Sequence, residues 1–129
     1  MLITGIVNPH VLSLVGRVRH TNALVLADVA FPYWPQIETV DISLLKGVPT
    51  ILQVLGAILP NFKCGAIYMA SEFKEHNDVA IQSAFANACR GVSITFESHV
   101  EFKKRVPQAI GLIRTGDGTL YGNMILVSS

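Results

Sequence analysis

The segment "RHTNALVLAD", residues 19–28, gives evidence both for the fold and for a candidate site. Ala23 to Ala27 form a continuous apolar run of strand length, which is typical of a strand buried on both faces. His20 stands before this run and Asp28 closes it. Packing requires neither titratable group, so the two residues predict an active site at the edge of a sheet.

Helices are predicted on both sides of this strand, from cap residues and from apolar side chains at helical spacing. Asn8 is the expected cap of the first helix. Pro49 is expected to begin the second, and Asn77 to cap the third. Ser98 and Glu101 have the spacing of a capping box at the start of a fourth. These helices are predicted within residues 8–20, 48–59, 77–91 and 98–106.

Short apolar runs between the helices predict the strands. They lie at residues 23–28, 39–42, 64–71, 92–98, 109–115 and 123–129, and the Gly-rich turn "GDGTLYG" joins the last two. Strands that alternate with helices and are largely apolar throughout are typical of parallel sheets. The sequence therefore predicts one α/β domain over residues 1–129, with a mostly parallel sheet.

The composition is apolar for a small domain, since 50% of the 129 residues are hydrophobic and 15% are charged. No apolar run approaches the roughly 20 residues that a membrane-spanning helix requires. The start "MLITGIVNPH" lacks the basic and long apolar regions of a signal peptide. We therefore expect no membrane segment, and a subunit that buries part of its surface against copies of itself.

Charge and cysteine usage argue against two further classes of function. The net charge is +1, and no basic stripe of the kind that nucleic-acid binding requires is present. Cys64 and Cys89 form no CxxC pair and have no metal-ligand spacing, so we predict no metal site. They are typical of buried thiols in a reducing cytoplasm.

Five polar residues fall at the predicted ends of helices and strands, where ligand sites of open α/β sheets lie. Each has a structural alternative. His20 could place a favourable charge at a helix C-terminus, and Asp28 could cap the next turn. His99 could be a surface residue of a first helical turn. Tyr121 could be a rim aromatic residue, and Asn123 a turn former.

Four segments together resemble the D-ribose pyranase and L-fucose mutarotase family. They are "HTNALVLAD" (20–28), "VDISLLKGVPTILQVLGAI" (40–58), "SHVEFKK" (98–104) and "IRTGDGTLYGNMIL" (113–126), and the last is the most specific. The segments occur in the family's order and span nearly the whole chain.

The resemblance implies a cytoplasmic three-layer α/β/α protein that assembles into ring-based homo-oligomers, commonly decamers. It implies an isomerase that exchanges anomers, or pyranose and furanose forms, of a free monosaccharide without metal or organic cofactor. The family's acid/base histidine falls on His20. The sugar-contacting positions fall on Asp28, His99, Tyr121 and Asn123.

The chain departs from the family pattern beside the histidine. The family usually has Gly before it and Asp two residues after it, whereas this chain has Arg19 and Asn22. An amide can hydrogen-bond but cannot stabilise an imidazolium by charge. A sugar-binding or transport-accessory protein without turnover, or a ring scaffold with a vestigial site, therefore stays open as an alternative. The triplet "YGN" is similar to the fucose branch and "GVPTILQVLG" to the ribose branch, so the substrate also stays open.

Overall fold

The computed structural model describes all residues from 1 to 129. The elements in chain order are α1 (Pro9–Gly16), β1 (Ala23–Ala27), β2 (Glu38–Asp41), α2 (Ile51–Ile58), β3 (Cys64–Ala70), α3 (Glu72–His76), α4 (Val79–Ala88), β4 (Ile94–Glu97), α5 (His99–Arg105), β5 (Gly111–Arg114) and β6 (Met124–Ser128). Single 3₁₀ turns, Leu59–Asn61 and Val106–Gln108, follow α2 and α5. No helix combines the length and the apolar character needed to cross a bilayer.

The six strands form one sheet in the order β2-β5-β1-β6-β3-β4. β5 is parallel to both β1 and β2, and β4 is parallel to β3. β6 is antiparallel to both of its neighbours, β1 and β3. Five strands therefore run in one direction and β6 runs in the other, which confirms the mostly parallel, mixed sheet.

Alternate residues of β1 enter two separate hydrophobic cores. Leu24 and Leu26 pack in the larger core, together with side chains of α1, α2, α3 and α4. Val25 and Ala27 pack in a smaller core with Phe102 of α5. Because strand side chains alternate between faces, the two cores lie on opposite sides of the sheet. The three-layer α/β/α arrangement is thereby confirmed.

The predicted start of the second helix at Pro49 is wrong. Thr50 is the N-cap, and its hydroxyl accepts the backbone N–H of Gln53 at 3.0 Å. The Gln53 side chain in turn accepts the backbone N–H of Thr50 at 2.8 Å. This reciprocal capping box satisfies two N–H groups that the helix cannot pair itself, so it outweighs the preference of proline for a first turn.

Asn77 is not the cap of the third predicted helix. It ends the short helix α3, which the sequence analysis missed, and its amide donates to the carbonyls of Phe73 at 2.8 Å and Leu120 at 2.9 Å. Asp78 is the cap of α4 and accepts the N–H of Ile81 at 2.9 Å. Of these two neighbouring cap-type residues, Asn77 therefore ends α3 and Asp78 begins α4.

The predicted capping box at the start of α5 forms only in half. The Ser98 hydroxyl accepts the Glu101 N–H at 3.2 Å. The Glu101 carboxylate instead pairs with Lys104 at 2.8 Å, one helical turn further along. The position of the helix start is nevertheless confirmed.

The Gly-rich segment after β5 is not a hairpin turn, because β1 lies between β5 and β6 in the sheet. Instead it packs against the loop that precedes α2. The Gly116 N–H donates to the Pro49 carbonyl at 2.9 Å, and a Cβ at position 116 would collide with the carbonyl oxygens of Leu45 and Val48. Only glycine allows this approach of two backbones, which holds one wall of the cavity described below.

Candidate functional site

Polar side chains gather at the edge of the sheet where the five parallel strands end. Asp28 follows β1 and His99 begins α5 directly after β4. Because β6 runs in the opposite direction, Asn123 precedes it at this same edge. The crevice lies between the two parallel halves of the sheet, a usual place for ligands in α/β folds. The cavity has a volume of about 410 Å³ and is lined by Asp28, Val29, Ala30, Phe31, Pro32, Lys46, His99, Asp117, Gly118, Thr119, Leu120, Tyr121 and Asn123.

Asn123 connects the start of β6 to the end of β1. Its side-chain oxygen accepts the backbone N–H of Asp28 at 2.7 Å, and the residue is only 3% exposed. The Asp28 carboxylate accepts the N–H of Ala30 at 3.0 Å. The structural alternative for Asp28 thus also holds, since it caps the turn while lining the cavity.

The environment of Asp28 favours the protonated carboxyl more than water does. Burial raises the pKa of Asp28 above its ordinary value. Contributions that lower it come from the backbone N–H groups of Ala30 and Phe31, the side chain of Asn123 and the charge of Arg114. A carboxyl held in this way can exchange a proton closer to neutral pH than a free aspartate.

His99 is packed among aromatic rings instead of lying on the surface. Its ring stacks on Phe102 at 12° with centroids 6.1 Å apart, and meets Phe31 edge-on at 6.2 Å and Tyr121 edge-on at 5.1 Å. Burial lowers the pKa of His99, and Lys103 lowers it further, against Glu72 and Asp28, which raise it. Burial therefore raises the pKa of Asp28 and lowers that of His99, and shifted pKa values in one cavity are typical of functional sites.

Tyr121 lines the cavity and lies in the left-handed backbone region, with φ of +54°. Non-glycine residues rarely adopt this conformation, and those that do cluster at functional sites. The carbonyl of the preceding residue, Leu120, accepts the Asn77 amide at 2.9 Å. This contact from α3 helps to hold the segment in place.

Asp117, which was not predicted from the sequence, lines the same cavity. Its carboxylate accepts the N–H of Ile51 at the start of α2 at 2.8 Å and that of Thr119 at 2.7 Å. The residue is only 6% exposed. An acid within the glycine-rich segment was the available signal, since carboxylates favour helix N-termini.

Glu72 was also missed. Both of its carboxylate oxygens accept the backbone N–H of His99, at 3.0 and 3.1 Å. The signal was similar to that of Asp28: an acid close to the end of a strand, here separated from β3 by Ser71 alone.

His20 lies away from this cavity, at the opposite edge of the sheet. The N–H of its neighbour Thr21 donates to the carbonyl of Ser128 at 3.0 Å, and Ser128 is the last residue of β6. Strands rise by about 3.3 Å per residue, so β1 separates His20 from Asp28 by a distance on the order of 20 Å. The prediction that His20 and Asp28 belong to a site at one edge of the sheet is therefore wrong within a single chain.

The two residues that depart from the family pattern build the turn around His20. The Asn22 side chain accepts the Arg19 N–H at 2.8 Å, and the Asn22 N–H returns to the Arg19 carbonyl at 3.0 Å. The Arg19 guanidinium donates to the carbonyls of Gly16 at 2.8 Å and Val18 at 3.0 Å. Arg19 thus takes the helix C-terminal position that was the structural alternative for His20, and His20 stays exposed.

A larger groove of about 620 Å³ lies beside the cavity and shares Pro32 with it. Its walls include Tyr33, Trp34 and two lysines of α5. Asp28 and His99, whose pKa values are both shifted, line the smaller cavity, which is therefore the better candidate site. No three His, Cys, Asp or Glu side chains lie together in a way that could hold a metal ion. The cavity could hold a small polyol through its carboxylate, amide, phenol and imidazole groups.

Two solved structures of proteins in complex with sugars have the same architecture as this chain. The structure of Bacillus subtilis RbsD complexed with D-ribose matches with a TM-score of 0.91, at 29% identity, over 100% of this chain and 98% of that one. The fucose mutarotase of Streptococcus pneumoniae, in complex with L-fucose, has the same fold, with a TM-score of 0.78 at 22% identity over 95% of this chain and 93% of that one.

Curated relatives are similar over nearly their full length. The D-ribose pyranase of Chromobacterium violaceum is 38% identical over 124 residues, which are 96% of this chain and 94% of the relative. That of Geobacillus kaustophilus is 37% identical over 97% of this chain and 91% of the relative. The sequence model of the RbsD / FucU transport protein family matches residues 1–129. The chain therefore belongs to the RbsD / FucU family.

Proposed function

We propose that the protein is a sugar isomerase that interconverts the ring forms of a free monosaccharide, with ribose as the first candidate substrate. The observation that carries the proposal is the cavity in which the pKa of Asp28 is raised and that of His99 is lowered. The relatives named D-ribose pyranase support it, as does the resemblance recognised in the sequence. Ribose is preferred over fucose because the two D-ribose pyranases named above are 38% and 37% identical to this chain, whereas the fucose mutarotase is 22% identical.

The reaction needs only proton transfer. Ring opening removes the proton of the anomeric hydroxyl, forms the C1 carbonyl, breaks the bond from C1 to the ring oxygen and delivers a proton to that oxygen. Closure on the other face of the carbonyl gives the other anomer, and closure by a different hydroxyl after rotation gives the other ring size. One acid and one base near neutral pKa suffice, and each contributes about 10²–10⁴-fold.

Within the cavity, Asp28 and Asn123 would hold sugar hydroxyls, since the two side chains offer acceptors and donors close together. The Asp28 backbone N–H donates to the Asn123 side-chain oxygen at 2.7 Å, and this hydrogen bond holds the two residues together before the sugar binds. His99 and Tyr121 would close the other side and carry part of the proton path. Lys46 adds a cation at the mouth of the cavity.

His20 would reach the sugar from a second copy of the chain. It is exposed on a turn built by its neighbours, at the far end of β1 from the cavity of its own subunit. The cavity end of the molecule carries uncovered apolar side chains that a second copy would cover, namely Leu44, Leu45 and Leu120, which are 76%, 67% and 58% exposed. Burial of these side chains would favour association.

This placement of His20 requires a head-to-tail contact between unlike surfaces, the turn of one subunit against the cavity of the next. Heterologous contacts of this kind close into rings when the rotation between copies permits it. A ring-based homo-oligomer, with a decamer as the expected size, is therefore part of the proposal. So is a cytoplasmic location, where free sugars and reduced cysteines are both present.

The test is NMR saturation transfer between the anomeric protons of ribose, and then of fucose. Wild type, His20→Ala and the matched control His10→Ala are compared at equal subunit concentration. His10 is an exposed histidine of α1 that does not line the cavity. The proposal expects faster exchange with wild type and His10→Ala and none with His20→Ala.

Two outcomes would overturn parts of the proposal. Sugar-dependent shifts at Asn123 without faster exchange would identify a sugar-binding protein that performs no turnover. Full exchange with His20→Ala would exclude His20 and leave the acid/base work to the cavity residues alone.

A further inference from the structure

Glu72 occupies a bridging position between two elements of the sheet edge. It is the first residue of α3 and follows β3, whereas His99 is the first residue of α5 and follows β4. The carboxylate spans these two neighbouring strand ends and receives the His99 N–H on both oxygens, at 3.0 and 3.1 Å. The Ser71 hydroxyl donates to the same carboxylate at 3.1 Å. Glu72 itself does not line the cavity.

The His99 ring depends on this anchor because its own hydrogen bonding is weak. Nδ1 is buried and has no hydrogen-bond partner in the chain. The ring is oriented by its stacking on Phe102 and by edge contacts with Phe31 and Tyr121. Such contacts tolerate rotation and sliding more than a hydrogen bond does. The hydrogen bonds from the His99 N–H to Glu72 therefore determine the position of the imidazole.

We propose that Glu72 is a positioning residue of the sugar site, which fixes the main chain of His99 at the start of α5 and places a negative charge beside its imidazole. The inference rests on the proposed function for the statement that His99 faces a sugar. The anchoring itself rests on the two hydrogen bonds between Glu72 and His99.

The charges around His99 give the direction of the effect. Burial and Lys103, on its own helix, lower the pKa of His99, while Glu72 from α3 and Asp28 from the end of β1 raise it. The Tyr121 phenol, which also contacts His76, is the other titratable group packed against the ring. Burial tends to raise the pKa of Glu72, but its hydrogen bonds with backbone N–H groups and Ser71 hold that pKa below the ordinary value, so Glu72 is charged at neutral pH. Loss of this charge must lower the pKa of His99 further.

The test compares Glu72→Gln with Glu101→Gln in the assembled protein. Both changes remove one negative charge. Glu101 lies in the first turn of α5, as His99 does, but its carboxylate pairs with Lys104 and accepts no hydrogen bond from His99. Histidine side-chain NMR follows the titration of His99 without any substrate. We expect the midpoint of His99 to move to lower pH in Glu72→Gln and to stay in Glu101→Gln. The acid limb of the kcat/KM profile for ribose exchange should move by the same interval.

Glu72→Asp and Glu72→Ala separate charge from anchoring. Glu72→Asp keeps the charge and should leave the midpoint near that of wild type, and Glu72→Ala should speed the exchange of the His99 amide proton. Equal midpoints in Glu72→Gln and wild type, or equal shifts in the two Gln variants, would overturn the inference. Absence of sugar exchange in wild type would overturn the proposed function instead, and the substrate-free titration would still decide whether Glu72 sets the state of His99.

Discussion

The two ends of strand β1 carry polar residues of opposite character. At its carboxyl end, Asp28 is held by a hydrogen bond from its backbone to the buried Asn123, and both residues line the cavity. At its amino end, His20 stands exposed on a four-residue turn, and that turn is held mainly by its own neighbours Arg19 and Asn22. One end is a preformed site, whereas the other presents a single functional group to the outside.

The difference between the two ends of β1 suggests how copies of a small subunit could together form an acid/base site. A domain of 129 residues has one sheet, and the two edges of that sheet are too far apart to share a ligand. In the proposed ring, a second copy would offer its amino edge to the carboxyl edge of the first without any new fold. The exposed and the buried ends would then be halves of the same site in two subunits.

The largest expected effect comes from removing the histidine of either half of the proposed site. His20→Ala and His99→Ala should each lower ribose exchange by about 10²–10⁴-fold, since each removes a proton-transfer group. Oligomers assembled from an equal mixture of the two variants should recover about a quarter of the wild-type activity, because one subunit pairing in four combines two intact halves. Saturation transfer on the refolded mixture measures this recovery.

A site contained in one subunit predicts the opposite result for the mixture. Every subunit would then carry one defect, and activity would stay at the level of the separate variants. Mixing His20→Ala with itself under the same refolding conditions controls for recovery caused by the procedure.

The second prediction compares two asparagines, one at each end of β1. Asn123 and Asn22 both accept a backbone N–H through the side-chain oxygen, at 2.7 and 2.8 Å. Asn123→Ala should lower the free energy of unfolding by about 1–3 kcal/mol, because it removes a buried side chain and leaves the half-buried Asp28 N–H unpaired. Asn22→Ala should cost under about 1 kcal/mol, since water can replace the exposed partner. Urea denaturation measures both, and equal costs would contradict the contrast between the two ends.

Much of the fold could be predicted from sequence because local patterns carried it. The buried run of β1, the caps of α1 and α5 and the alternation of helix and strand all reflect short-range chemistry. The order of the strands did not follow from such patterns. β6 inserts between β1 and β3 through long-range pairing, and the Gly-rich segment before it therefore crosses over instead of forming a hairpin.

The candidate site was predicted less completely. Asp28, His99, Tyr121 and Asn123 were identified from their positions at element ends and from the resemblance, and they do line one cavity. Their roles toward a sugar stay predictions. Glu72 and Asp117 were missed because each acts on a backbone N–H distant in sequence, in α5 and α2 respectively. The spacing of residues in the sequence does not predict such long-range contacts. The distance between His20 and Asp28 likewise becomes clear only from the three-dimensional structure of β1.

The third prediction concerns pH and the buried end. Since burial raises the pKa of Asp28 in the folded chain, ionisation of this carboxyl opposes folding. Below the unfolded value of about 3.9 both states are protonated and there is no penalty, but the penalty appears as pH rises through the folded pKa. Asp28→Asn should therefore stabilise the protein at pH 7 and have no such effect near pH 3. Urea unfolding at the two pH values measures it, and an equal effect at both would show that charge is not the cause.

The smallest expected effect lies at the exposed end and concerns turnover. Asn22→Asp keeps an oxygen that can accept the Arg19 N–H, so the turn should survive unchanged. It also restores the carboxylate that the family usually places two residues after its histidine, and a negative charge there stabilises an imidazolium that forms during proton transfer. We expect a few-fold gain in ribose exchange with no change in sugar affinity, because in the proposed site the cavity residues at the other end of the strand hold the sugar. Saturation transfer with a parallel binding titration tests this, and Asn22→Gln is the uncharged control. A gain in affinity would instead place position 22 in contact with the sugar, and would make the exposed end a binding surface as well as the carrier of His20.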